Sequence, residues 1–210
     1  MTALRIDHVI LGVRDLDAAG ASLLGRFGLG SVPGGSHAAW GTGNRIVPLG
    51  RDYLEIMAVE DPEVASRSEF GRGLASAVAG GDRFVGWCLR TGDLDGVAER
   101  LGLPVEEGSR TRPDGTVLAW RLAGRNAATD DAWLPFFIEW RTEPHDHPGL
   151  GHAPHRVHPV GISSLEVGGD AARLREWLGD ETVPIHVVEG PRGVRSVSVG
   201  TTTGDVVVRP

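Results

Sequence analysis

Apolar and polar positions along the chain fall into short runs whose period changes in a recurring order. Ile6-Asp7-His8-Val9-Ile10-Leu11-Gly12-Val13 reads as a strand. Asp15-Leu16-Asp17 then opens a helix through about Arg26, with an acidic side chain of the type that caps a helix start. The order returns with a strand over residues 83–89, Asp93-Leu94-Asp95, and a helix through Arg100. A third strand over residues 160–167 leads to Asp170 and a helix over 171–178. Apolar strand candidates separated by Gly, Pro and charge follow each helix. The chain therefore writes strand, helix and several strands three times.

Two later runs embed a carboxylate among apolar residues: Tyr53-Leu54-Glu55-Ile56-Met57 and Phe136-Phe137-Ile138-Glu139-Trp140. Such runs form buried or half-buried strands. A glutamate within one is costly to desolvate unless a cation, a donor network or an open cavity receives it. Aligned on the acidic helix starts, His8 corresponds to Gly86 in the second copy, and Glu55 has its counterpart in Glu139. The third copy closes around Asp205-Val206-Val207-Val208 without an embedded glutamate. Copies one and two are thus expected to share a polar cavity, with copy three completing the packing or supplying a surface.

At 210 residues the chain can bury a sizeable core. Its formal charge of -7 and the lack of a basic run argue against nucleic acid as a partner. The single Cys88 excludes an intrachain disulfide and a cysteine metal cluster, and sits in an apolar strand with no evident base. No apolar stretch is long enough for a bilayer and no secretory core is present, so the expectation is a cytoplasmic protein with no membrane partner. The glycines from Gly28 to Gly35 lack the spacing of a dinucleotide fingerprint, so no nucleotide cofactor is indicated.

Several motifs follow one another in a set order: Asp7-His8, Asp15-Leu16-Asp17, Gly34-Gly35-Ser36-His37, Gly41-Thr42-Gly43-Asn44 and Tyr53-Leu54-Glu55. They continue with Arg110-Thr111-Arg112-Pro113-Asp114-Gly115, Trp120, Phe136-Phe137-Ile138-Glu139-Trp140 and His147-Pro148. This order resembles the glyoxalase-like branch of the vicinal oxygen chelate superfamily. The resemblance implies an α+β fold of βαβββ modules whose curved mixed sheets enclose a cavity. It implies one domain over residues 1–148, built of modules at about 5–60 and 82–141, and a third related module over 149–210. It further implies a divalent transition metal (Zn, Mn, Fe, Co or Ni) held by His8, His37, Glu55 and Glu139, with Gly86 departing from the usual histidine. Glu139 would be the general base. The activity implied is isomerase, lyase or dioxygenase chemistry on a small oxygenated or anionic molecule, and a homodimer is compatible with it. Noncatalytic binding or sequestration in the same cavity is the alternative.

The residues themselves leave choices open. His8 is either a ligand or a strand histidine satisfied by its neighbour Asp7. Glu55 is either a site carboxylate or an arginine-paired structural one, and His37 either a ligand or part of a glycine-rich surface loop. Asn44 orients a ligand or satisfies a turn. Arg110 and Arg112 share one strand face, where they clamp an anionic substrate or rim an exposed hairpin. Trp120 and Trp140 wall the cavity or fill the core, and core is the preferred reading of Trp87. Five of the eight histidines lie between His145 and His158, among Pro148, Pro154, Gly149 and Gly151. That tract reads as a linker or lid before it reads as a second metal centre.

Overall fold

A computed structural model describes residues 4–112, 115–125 and 133–210. Pro113 and Asp114, in the turn after Arg112, lie outside the described residues. The chain is α+β, with an eight-stranded curved sheet and a separate four-stranded sheet.

The first unit comprises β1 (Arg5–Gly12), α1 (Leu16–Phe27), β2 (Val32–His37), β3 (Thr42–Pro48) and β4 (Tyr53–Val59). The second comprises β5 (Arg83–Arg90), α4 (Leu94–Leu101), β6 (Val105–Thr111), β7 (Val117–Ala123) and β8 (Phe136–Trp140). Between them lie α2 (Pro62–Arg67) and α3 (Glu69–Val78), two helices that the repeat pattern does not announce. The sheet runs β2-β3-β4-β1-β5-β8-β7-β6, with β1 and β5 antiparallel at its centre and the outer strands β2 and β6 approaching each other. In each unit the first strand is parallel to the fourth.

The last segment forms β9 (Pro159–Gly168), α5 (Ala171–Leu178), β10 (Ile185–Val188), β11 (Gly193–Thr201) and β12 (Gly204–Val208). Its sheet runs β10-β9-β11-β12, so β9 is parallel to the strand directly after its helix. The element order repeats while the pairing does not.

The expected helix starts are Asx caps. Asp15 accepts from the backbone N–H of Asp17 and Ala18, Asp93 from Gly96, and Asp170 from Ala172 and Arg173. α1 ends at Gly28 with φ 71°, the left-handed position that lets Gly28 and Leu29 return hydrogen bonds to Leu24 and Leu23.

Alternation along β4 explains how one strand serves two environments. Leu54, Ile56 and Ala58 enter the core beneath the helices, whereas Tyr53, Glu55 and Met57 face the concave side. The larger core contains Leu23 from the first unit, Trp87 and Phe137 from the second, and Leu165, Trp177 and Val197 from the last. All three units therefore share one apolar interior.

Asp52 ties the β3–β4 turn to the last unit: its Oδ1 accepts from the Ile162 N–H at 2.8 Å. Burial pushes this carboxyl up to about 6, against the weaker opposing pull of that hydrogen bond and of Arg51. A raised acid binds its proton more tightly folded than unfolded. Its favourable contribution is complete below its ordinary value of 3.8 and lost as pH rises through about 6. Above that pH ionisation costs at most about 3 kcal/mol. Asp52→Asn keeps the acceptor, so urea denaturation at pH 8 is expected to show a gain of about 1–2 kcal/mol that shrinks below pH 4.5. An unchanged pH dependence would remove Asp52 from this role.

Candidate functional site

The concave sheet encloses a cavity of about 630 Å³. His8 and Ile10 of β1, Tyr53, Glu55 and Met57 of β4, and Phe136, Ile138 and Trp140 of β8 line it, with α3 along one side. Its walls are thus mostly apolar and aromatic around a small polar floor.

His8 reaches that floor through an irregularity in β1. Ile6 pairs with Leu89 and His8 with Cys88, so Asp7 is an extra residue in the ladder. The Asp7 carboxylate accepts from His8 Nδ1 at 2.7 Å, from Trp140 Nε1 at 3.0 Å and from His147 Nε2 at 3.0 Å. Arg90 lies 3.5 Å away. Burial alone would raise the Asp7 carboxyl, but the bonds from His147 and His8 and their charge hold it well below the usual carboxylate range. The Gly149 N–H donates to His147 Nδ1, while His147 Nε2 lies 3.0 Å from both Asp7 Oδ2 and Arg90 NH1. His8 directs its Nδ1 proton to Asp7. Its Nε2 lone pair then points towards Glu55 Oε2, 3.8 Å away. Tyr53 stacks on the His8 ring at 4.7 Å and Phe136 meets it edge-on at 5.5 Å.

Glu55 is 8% exposed, and the Asn44 side-chain amide donates to its Oε1. Oε2 remains directed at His8 and the cavity. Asn44 Oδ1 is buried without a hydrogen-bond partner and lies against Gly34, where a Cβ would come within 2.1 Å of it. Gly34 is therefore needed for this close approach. His37 also lines the cavity but at a different level. It pairs with Thr42, which pairs with Val59, four residues along β4 from Glu55. Its Nδ1 meets Thr42 Oγ1 at 3.2 Å, and burial lowers its pKa.

Glu139 is not brought to His8. On β8 the cavity-facing residues are Phe136, Ile138 and Trp140, so Phe137 and Glu139 face the opposite side. Glu139 pairs there with Arg141 at 2.8 Å and Arg121 at 3.2 Å, and Arg121 also bonds Asp95 on α4. Strand register shows why the two glutamates are not equivalent. Counted from the helix caps, Ile10 corresponds to Cys88; Glu55 pairs with Ile10, whereas Phe136 pairs with Cys88. Arg110 lines the cavity while donating to the Gly34 carbonyl at 2.7 Å. Arg112 is instead bonded to Asp146. Trp120 and Trp140 wall the cavity and meet at 5.6 Å. Trp87 is buried in the core and also touches the cavity wall.

A resident divalent metal requires donors that converge on one point. His8 and Glu55 supply two ligands from neighbouring strands; Gly86, Phe136 and Ile138 of the adjoining β5 and β8 supply none, and His37 stands at a different level. Among the described residues, the one grouping of three ligand-type side chains within 4.8 Å is Asp7, His8 and Cys88. In that grouping Asp7 is already occupied by bonds from His8, Trp140 and His147. Among the described residues, no four ligand-type side chains converge as a closed transition-metal centre requires.

Asp7 and His147 belong to the site without being among the candidates that the sequence offers. Both were visible, in Asp7-His8 and His147-Pro148, but their meeting across the fold was not. Within the His-rich tract, His147 supports Asp7, and His155 accepts from the Gly30 N–H at 3.1 Å. The tract thus fastens the linker to the first unit. Among the described residues, no helix is long and apolar enough to cross a membrane.

A family model described as a glyoxalase-like domain matches residues 6–182. A hypothetical protein from Staphylococcus aureus superposes with a TM-score of 0.65 at 19% identity, over 98% of this chain and 85% of that one. Methylmalonyl-CoA epimerase from Mycobacterium tuberculosis gives a TM-score of 0.45 at 20% identity, over 66% of this chain and 88% of its own. The Streptomyces coelicolor methylmalonyl-CoA epimerase with 2-nitronate-propionyl-CoA gives 0.48 at 18%, over 68% and 96%. No curated protein matches the chain. With the family model spanning most of its length, and with the curved sheet that the resemblance implied, the chain belongs to the glyoxalase-like domain family of the vicinal oxygen chelate superfamily.

Proposed function

We propose that the cavity binds a small carbonyl-containing molecule and that His8 moves a proton on the carbon beside the carbonyl, an isomerase-type step. The carrying observation is the His8 Nε2 lone pair, aimed at the cavity by the Asp7 bond and set 3.8 Å from Glu55 Oε2. As His8 Nε2 accepts the proton, the C–H electron pair passes into the carbonyl to give an enolate. The imidazolium is stabilised by Asp7 on one side and Glu55 on the other. Return of the proton from Nε2 completes exchange. Asn44 holds Glu55 in place, and Arg110 supplies positive charge within the same cavity.

The test is solvent-deuterium incorporation, followed by NMR, into a panel of 2-oxo acids and acyl thioesters, with chelator-treated protein. Exchange is expected to persist after chelation, to fall at least tenfold in His8→Gln, and to be unchanged in Glu139→Gln. Loss on chelation with recovery on adding metal would overturn the metal-free reading. Saturable binding without exchange would favour sequestration, the second reading, for which the Trp120, Phe136 and Trp140 walls speak.

A further inference from the structure

The cavity has a second polar end. Arg83, Arg110, Arg125 and Arg192 are among the described residues lining it, against two glutamates, Glu55 and Glu69, in a chain whose net charge is -7. Three of these arginines come from separate parts of the fold: Arg83 opens β5, Arg125 follows β7, and Arg192 lies between β10 and β11. The last unit thereby contributes to the cavity itself.

Register separates this end from the floor. His8 pairs with Cys88 and Gly12 with Arg83, so the Arg83 backbone lies four residues along β1 from His8, roughly 13 Å of strand. Between the two levels the lining is Ile10, Val85, Leu74 and Phe84. Arg125 stacks over Trp40 at 4.3 Å and over Phe70 at 5.7 Å, and its NH2 bonds Glu106 at 3.0 Å. Its Nε and NH1 are buried with no hydrogen-bond partner. Buried guanidinium donors left in this state call for an acceptor.

We infer that Arg83, Arg125 and Arg192 form an anion-recognising rim, and that the ligand is an elongated molecule with an apolar middle and a terminal carboxylate or phosphate. The orientation, with the oxygenated end at His8, rests on the proposed function; the rim does not. Cations gathered at the mouth of a low-dielectric cleft draw in an anion that the acidic outer surface repels. The apolar stretch sets a minimum length, because a short acid cannot fill it and meet the rim together.

The experiment is calorimetric titration of the whole protein with decanoate, decyl phosphate, decanol and butanoate. Both ten-carbon anions are expected to bind at least tenfold more tightly than decanol and than butanoate. The better of the two anions names the head group. In Arg83→Glu/Arg192→Glu, both changes at exposed positions, the anions should fall to the affinity of decanol, which itself stays unchanged. A thermal melt confirms that the double variant is folded. Equal binding of decanol and decanoate, or an anion preference that survives the double substitution, would overturn the rim. His8→Gln should abolish deuterium exchange while leaving the anion preference intact, so the two proposals fail separately.

Discussion

Asp7→Ala is expected to lower the unfolding free energy by about 3–5 kcal/mol at pH 7.5, the range found when one partner of a buried charge network is removed. The carboxylate is fully buried and takes hydrogen bonds from His8, His147 and Trp140, with Arg90 close by. Alanine leaves these donors facing one another with no acceptor, and leaves Arg90 without its buried counter-charge. For a chain of this length the melting temperature should fall by roughly 6–20 °C. The pH dependence supplies a check on the cause. Because the folded Asp7 carboxyl is held well below its ordinary value, its contribution is present above that ordinary value and lost as pH falls towards the folded one. The gap between parent and variant should therefore narrow in acid. A loss below about 1 kcal/mol at pH 7.5 would mean that water replaces the carboxylate without difficulty.

Trp177→Ala is expected to cost about 3–5 kcal/mol, the usual range for deleting a buried large aromatic side chain. Trp177 is 3% exposed, stacks on Phe137 at 6.2 Å, and donates its indole N–H to the Pro135 carbonyl at 2.8 Å. The ring belongs to α5 of the last unit, and both partners belong to the strand region of the second. Its loss should therefore lower one cooperative transition of the whole chain, followed by tryptophan fluorescence and circular dichroism together. Two separated transitions, with the first confined to the last unit, would show instead that this shared interior does not couple the units. Trp177→Phe retains the stack but orphans the Pro135 carbonyl, and should fall between parent and alanine.

Local chemistry made much of the fold legible. The aspartates at 15, 93 and 170 marked three helix starts because a short carboxylate satisfies N–H groups that no helix can satisfy internally. The helices over 62–67 and 69–78 lie between two copies of the repeat, whose pattern does not announce them. The site was less legible, for a geometric reason. Glu55 and Glu139 sit in similar apolar runs, but inward and outward positions alternate along a strand, and a shift of one residue reverses the face. No composition distinguishes the two; pairing with Ile10 or with the Cys88 strand does. His37 illustrates the same limit. Its residue type suited a ligand, but its level in the sheet was set by pairing through β3 and placed it along the cavity rather than beside His8.

The extra residue at Asp7 changes what a strand can encode. A regular strand shows a cavity only every second side chain, so an acid and the imidazole it controls cannot ordinarily be consecutive there. With the insertion, two adjacent codons specify a base together with the group that sets its tautomer. The pair is then inherited as a unit. A one-residue deletion at position 7 would restore a regular β1–β5 ladder there and leave the helix caps in place, but it would remove the acid from the dyad and, with it, the stability of its buried bonds, so chemistry and stability in this fold hang together on a single inserted residue.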